Sequence, residues 1–121
     1  MTAVAKPRRK EEVFVDLLVT AGLAKNVART LVFLARREVT TSVDIEKATG
    51  LRQPEVSLAM AVLRKRGWIE KHDLKKEGKG RPVHAYRLAM PLEGIVDTIA
   101  GDERRKIEAI EDNLRKLQQG L

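Results

Sequence analysis

The densest chemistry in this chain lies in the run Leu74-Lys75-Lys76-Glu77-Gly78-Lys79-Gly80-Arg81-Pro82. Lys75, Lys76, Lys79 and Arg81 set four cations against Glu77, the one acid of the run, and each cation can neutralise one phosphate. Gly78 and Gly80 let the backbone approach a groove closely. A solvated loop of mixed charge is the simpler use of the same residues. The glycines do not make a nucleotide-binding loop, because neither G-x-x-x-x-G-K-[ST] nor G-x-G-x-x-G occurs.

Other chemistry is sparse. His72 and His84 are the two histidines, on or beside opposite strands of one expected hairpin, and no cysteine or clustered carboxylate completes a coordination shell around them. They read as structural polar residues, with no metal site. Trp68 reads as a core aromatic, since 3% aromatic content leaves no partners for a stacking platform. No serine stands in a nucleophile-elbow context, and the acids fall mainly where lysine or arginine can pair with them. The expectation is a protein that is no enzyme, with no catalytic residues and no cofactor.

The elements that must position these residues fit in 121 residues, enough for one domain and an appended helix. Hydrophobic residues at 43% and charged residues at 34% allow one modest core under a charged surface. The net charge of +7 favours polyanionic partners, nucleic acid ahead of anionic membrane. That charge is uneven: residues 1–91 carry 19 basic and 10 acidic side chains (+9), residues 92–121 carry 5 and 7 (−2). Glu11, Glu12 and Asp16 oppose a signal-peptide reading of the N-terminus, and no run approaches the ~18 apolar residues of a membrane helix. With no cysteine, the expectation is a cytoplasmic protein without a membrane partner.

Residues 1–7 read as a disordered basic arm. A first helix is expected from Arg8 to Thr20, with Val13, Leu17 and Val19 to Leu23 toward the core. Val27, Leu31 and Leu34 define the inner face of a second helix, Lys25 to Arg37. The β-branched Val39 to Thr41 precedes a short third helix capped by Thr41 or Ser42, with Ile45 and Ala48 inward and Gly50 as its stop. Gln53-Pro54 opens a fourth helix that ends at Gly67. Two helices joined by a tight glycine-containing turn form a helix-turn-helix pattern with inner positions Ile45, Ala48, Leu51, Val56, Met60 and Leu63. Trp68 to Asp73 and Val83 to Leu88 are the arms of the hairpin that carries the basic run at its tip.

After Met90-Pro91, Ile107, Ile110, Leu114, Leu117 and Leu121 recur at alternating three and four, a heptad seam. Leu92, Ile95 and Ile99 form a second stripe one residue out of phase, and Gly101-Asp102 between them marks a kink or break. A helix over 92–121 is ~45 Å long, more than a domain of ~91 residues can cover. Part of the seam is therefore expected to meet a second copy, with Ile95, Ile99, Ile107, Ile110, Leu114 and Leu117 at a coiled-coil dimer interface.

The segments TGLRQPEVSLAMAVLRKRGWI (Thr49 to Ile69) and KKEGKGRPVHAYRL (Lys75 to Leu88) resemble archaeal and bacterial winged-helix transcription regulators of the MarR, ArsR and TrmB-like kind, most closely small archaeal ones with a C-terminal coiled coil. The resemblance covers roughly Lys25 to Met90. It implies a mainly α (α+β) winged helix-turn-helix domain over 8–91, a dimerisation helix over 92–121, and a homodimer on double-stranded DNA. It further implies a recognition helix, about 53–66, in the major groove and the basic hairpin, the wing over 74–82, on the minor groove or backbone.

Carried over by position, Arg52, Gln53, Glu55, Ser57 and Leu58 become the exposed early residues of the reading helix. Gln53 suits an adenine edge, Arg52 a guanine or a phosphate, and Ser57 the backbone. Leu58 stands where such proteins commonly have a polar or basic residue, and it fits a thymine methyl or packs. Ala24 replaces a common capping serine before the second helix. Two alternatives stay open: an architectural, chromatin-type DNA-binding protein with little sequence preference, and a protein-binding winged helix of the transcription machinery. No effector site is legible.

Overall fold

The computed structural model describes residues 10–74 and 83–121. Residues 1–9 and 75–82 lie outside the described residues, and with them the expected arm, the start of the first helix and the wing residues Lys75, Lys76, Lys79 and Arg81. The chain divides into two compact units, Met1–Met90 and Pro91–Leu121.

In the first unit the order is α1 (Lys10–Thr20), α2 (Lys25–Ala35), β1 (Thr40–Thr41), α3 (Ser42–Thr49), α4 (Gln53–Lys65), β2 (Ile69–Leu74) and β3 (Val83–Leu88). The sheet runs β1-β3-β2, antiparallel throughout. Thr40 pairs with Tyr86, and the hairpin register takes Ile69 to Leu88 and Leu74 to Val83. This is a winged helix-turn-helix, mainly helical with a small sheet.

Helix α2 sits at the centre because it is apolar over most of its circumference: Val27, Ala28, Leu31, Val32 and Leu34 are all buried. Leu31, Leu34, Ile45 and Leu63 are fully buried, so the core joins α2, α3 and α4. Truncating any of these leucines to alanine carries the usual core cost of ~2–5 kcal/mol. Thr30, also buried, stays satisfied by donating from Oγ1 to the Asn26 carbonyl at 2.8 Å. Ala24 offers no side-chain cap to α2, as its residue type requires.

Two details depart from the periodicity. In α1, Val13, Leu17 and Val19 are exposed and Leu18 is the buried residue. That helix is apolar on more than one side, so the pattern cannot select its inward face; contact with α2 does. In α3, Ala48 is exposed, and Thr49 with Ile45 faces inward. Thr49 Oγ1 donates to the Ile45 carbonyl at 2.6 Å and accepts from the Leu51 amide at 3.3 Å, tying the helix end to the turn.

The second unit is α5 (Leu92–Gln119), 28 residues or about 42 Å, preceded by Pro91 in extended geometry. Pairs three or four residues apart brace it: Asp102 with Arg105, Glu103 with Lys106, and Asp112 with both Arg115 and Lys116. The helix runs unbroken through Gly101 and Asp102, where the sequence suggested a kink or break. A Cβ on Gly101 would meet Arg105 Nη1 at 3.6 Å, ordinary contact with a flexible side chain. Gly101→Ala is therefore expected to stabilise the helix by about 0.5–1 kcal/mol, read as a raised midpoint in thermal unfolding followed by circular dichroism. An unchanged or lowered midpoint would mean that this position needs its missing side chain.

Candidate nucleic-acid interface

The turn into α4 is built from three local devices. Thr41 Oγ1 accepts from the Asp44 amide at 3.2 Å and caps α3. Gly50 ends α3 at φ +74°, a conformation that side-chain-bearing residues rarely adopt. Pro54 then lies in the first turn of α4, where its fixed φ is pre-set for helix. Val56, Ala59, Met60 and Leu63 bury the inner face of α4. That leaves Arg52, Gln53, Ser57 and Leu58 exposed, Leu58 at 71%.

Glu55 is placed differently. Its Oε1 accepts from the Arg52 amide at 2.9 Å and its Oε2 from Asn26 Nδ2 at 3.4 Å. The first bond is half of a capping box; Arg52 has no acceptor and cannot reciprocate. The second ties the start of α4 to the start of α2. With one bond on each oxygen, Glu55 ties the start of α4 to its own cap and to α2. Asn26 is its partner, a role that sequence spacing of 29 residues does not reveal.

The hairpin carries an acid with a basic partner on each of its two faces. Glu70 accepts from Arg87 Nε at 3.0 Å and lies 3.4 Å from His72 Nε2. Arg87 first, and His72 after it, hold the Glu70 carboxyl below the usual carboxylate range. On the other face His84 Nδ1 meets Asp73 Oδ1 at 2.7 Å, directly across the strands. The two histidines thus lie on opposite faces of the sheet, each with its own acid. No group of three metal-ligating side chains occurs among the described residues. Trp68 is buried, with the Arg66 guanidinium 4.9 Å above its ring, which agrees with a core role.

Between α4 and the hairpin runs an open groove of about 320 Å³. Ser42, Gln53, Ser57 and Arg64 line it from the helical side, Lys71, His84 and Tyr86 from the strands, with Val56 and Met60 beneath. Burial pushes the Tyr86 hydroxyl pKa up, against the pull of the nearby Arg64 charge. Sequence spacing does not single out Lys71, because a lone lysine in a strand carries no motif.

In α5, Ile95 and Ile99 are buried. Ile107, Ile110, Leu114 and Leu117 are exposed at 56%, 58%, 51% and 76%. No helix among the described residues is long and apolar enough to cross a membrane.

The fold is that of winged-helix transcription regulators, and solved structures of that class superpose on it at low sequence identity. TrmBL2, an archaeal chromatin protein described with a novel mode of DNA binding, matches 92% of this chain with a TM-score of 0.65 at 19% identity. This chain spans 40% of the TrmBL2 chain. A possible transcriptional regulator from Methanosarcina mazei matches 99% of this chain and 96% of its own length, with a TM-score of 0.60 at 15% identity. A MarR family transcription regulator matches 90% of this chain and 76% of its own, with a TM-score of 0.54 at 17% identity. No family model and no curated protein matches the sequence.

Proposed function

We propose that the chain is a cytoplasmic, homodimeric, DNA-binding transcription regulator that reads the major groove with the start of α4 and steadies the duplex with its basic wing. One observation carries this reading: α4 is locked from beneath by its buried face and by the Asn26–Glu55 bond, while Arg52, Gln53, Ser57 and Leu58 stand exposed at its N-terminal end. A reading helix needs that combination, since base contacts demand fixed side-chain origins. Affinity comes chiefly from phosphate contacts, and sequence preference from Gln53 and Arg52.

Alanine at Gln53 or Arg52 is expected to cost ~1–3 kcal/mol on a preferred duplex, selected from a random pool at two salt concentrations, and much less on random duplex. The exposed, apolar Leu58 favours a second reading, an architectural protein that coats DNA with little sequence preference. Equal losses on preferred and random duplexes would establish that second reading in place of the first.

A further inference from the structure

We infer that the exposed stripe on the second half of α5 pairs with a second copy of this chain in parallel and in register, with Lys106 at the border of the seam meeting Glu111 of the partner subunit. The inference rests on the homodimer reading above and adds the direction and register of pairing to it.

Spacing fixes the heptad frame. Steps of three, four and three over Ile107, Ile110, Leu114 and Leu117 make Ile107 and Leu114 the a positions and Ile110 and Leu117 the d positions. The residues that border the seam follow from that frame: Lys106 and Asn113 at g, Glu111 and Gln118 at e. All of them are exposed. Charges away from the seam are matched within the helix, Asp102 with Arg105 and Asp112 with Arg115 and Lys116. Glu111 makes no hydrogen bond or ion pair among the described residues. Lys106 holds Glu103 at 2.8 Å, but its side chain is 68% exposed and its ammonium has donors left for a second carboxylate.

Direction decides what each border residue meets. In a parallel, in-register pair a g residue lies beside the e residue of the following heptad on the other helix, so Lys106 meets the partner's Glu111 on both sides of the seam. Asn113 then meets the partner's Gln118, two amides that can each donate and accept. Turned antiparallel with all four apolar layers matched, Ile107 would pack on the partner's Leu117 and Ile110 on the partner's Leu114. Glu111 would then face the partner's Glu111, a like-charge contact that opposes this direction, and Lys106 would reach no acid. An antiparallel shift by one layer brings Arg104 to the partner's Glu111, but it sets Glu103 against the partner's Leu114 and desolvates a carboxylate in the seam.

Parallel pairing has a consequence on DNA. Both α5 helices then begin at one level, so the two winged-helix units leave the coiled coil from the same end. In the antiparallel pair with matched layers the two helices would begin about 60 Å apart, against ~34–36 Å between half-sites one turn apart.

The chain has no cysteine, so a single introduced thiol reports direction. In the parallel pair position 117 faces itself, and Leu117→Cys in the full chain is expected to form a disulfide-linked dimer in a glutathione redox buffer. In the antiparallel pair the same positions lie about 15 Å apart, beyond the ~4.4–6.8 Å between Cα atoms that a disulfide spans. A 107–117 cross-link in a mixture of Ile107→Cys and Leu117→Cys chains, with none in Leu117→Cys alone, would overturn the inference. Lys106→Glu sets a like-charge contact on each side of the seam and is expected to raise the dimer Kd about 30-fold in sedimentation. Adding Glu111→Lys reverses both pairs and should bring the Kd back to within about threefold. A Lys106→Glu chain that dimerises normally, or one that Glu111→Lys does not rescue, would also overturn it. If Leu117→Cys loosens the dimer before oxidation, the charge variants decide. An unaltered chain that sediments as a monomer would overturn the homodimer reading itself, and the inference with it.

Discussion

Removing residues 102–121 is expected to turn the proposed dimer into a monomer in sedimentation, while Lys10 to Met90 keeps its secondary structure. The stripe of Ile107, Ile110, Leu114 and Leu117 keeps heptad spacing over the second half of α5, and every member is more than half exposed. Full burial of one such side chain contributes ~1.5–3 kcal/mol, so four half-exposed members on each of two chains supply a gross gain on the order of 8 kcal/mol. Association itself costs part of that gain. Ile110→Lys/Leu114→Lys should be as damaging as the deletion, because four ammonium groups would have to be desolvated in one seam. A rise in dimer Kd of about a thousandfold, ~4 kcal/mol, is the expected minimum. A truncated chain that still sediments as a dimer would move the interface elsewhere, to the exposed Val13 and Leu17 of α1 for example.

Replacing Lys75, Lys76, Lys79 and Arg81 together by alanine should weaken binding to all duplexes alike. The four belong to residues 75–82, which connect the described strand ends Leu74 and Val83. If each meets one phosphate, the slope of log affinity against log salt falls by about 0.9 for each, about 3.6 per chain, and affinity at 0.1 M salt falls by a factor of about four thousand. This pattern is the reverse of that expected at Gln53 and Arg52, where the loss depends on sequence. An unchanged slope would take the wing off the DNA.

Much of the fold was legible in the sequence, because its punctuation is local. Gly50 and Gly67 stop helices, Pro54 opens one, Thr41 caps one, and Val27, Leu31 and Leu34 mark a face by spacing alone. The same local rules found the paired β-rich arms of the hairpin and the seam over 107–121. Charge distribution pointed to a polyanion, since counting cations requires no geometry.

Tertiary structure decided what depends on neighbours distant in sequence. Helix α1 is apolar on several sides, and only its packing shows that Leu18 goes in and Val13, Leu17 and Val19 stay out. Glu55 looked like one more exposed residue of the reading helix until Asn26, 29 residues earlier, was found holding its second oxygen. The groove is the clearest case, since Arg64 and Lys71 sit on different elements and no motif spans them. Local sequence sets backbone conformation through side-chain sterics and capping over a few residues, whereas a side chain's free or occupied state is a property of the packed whole.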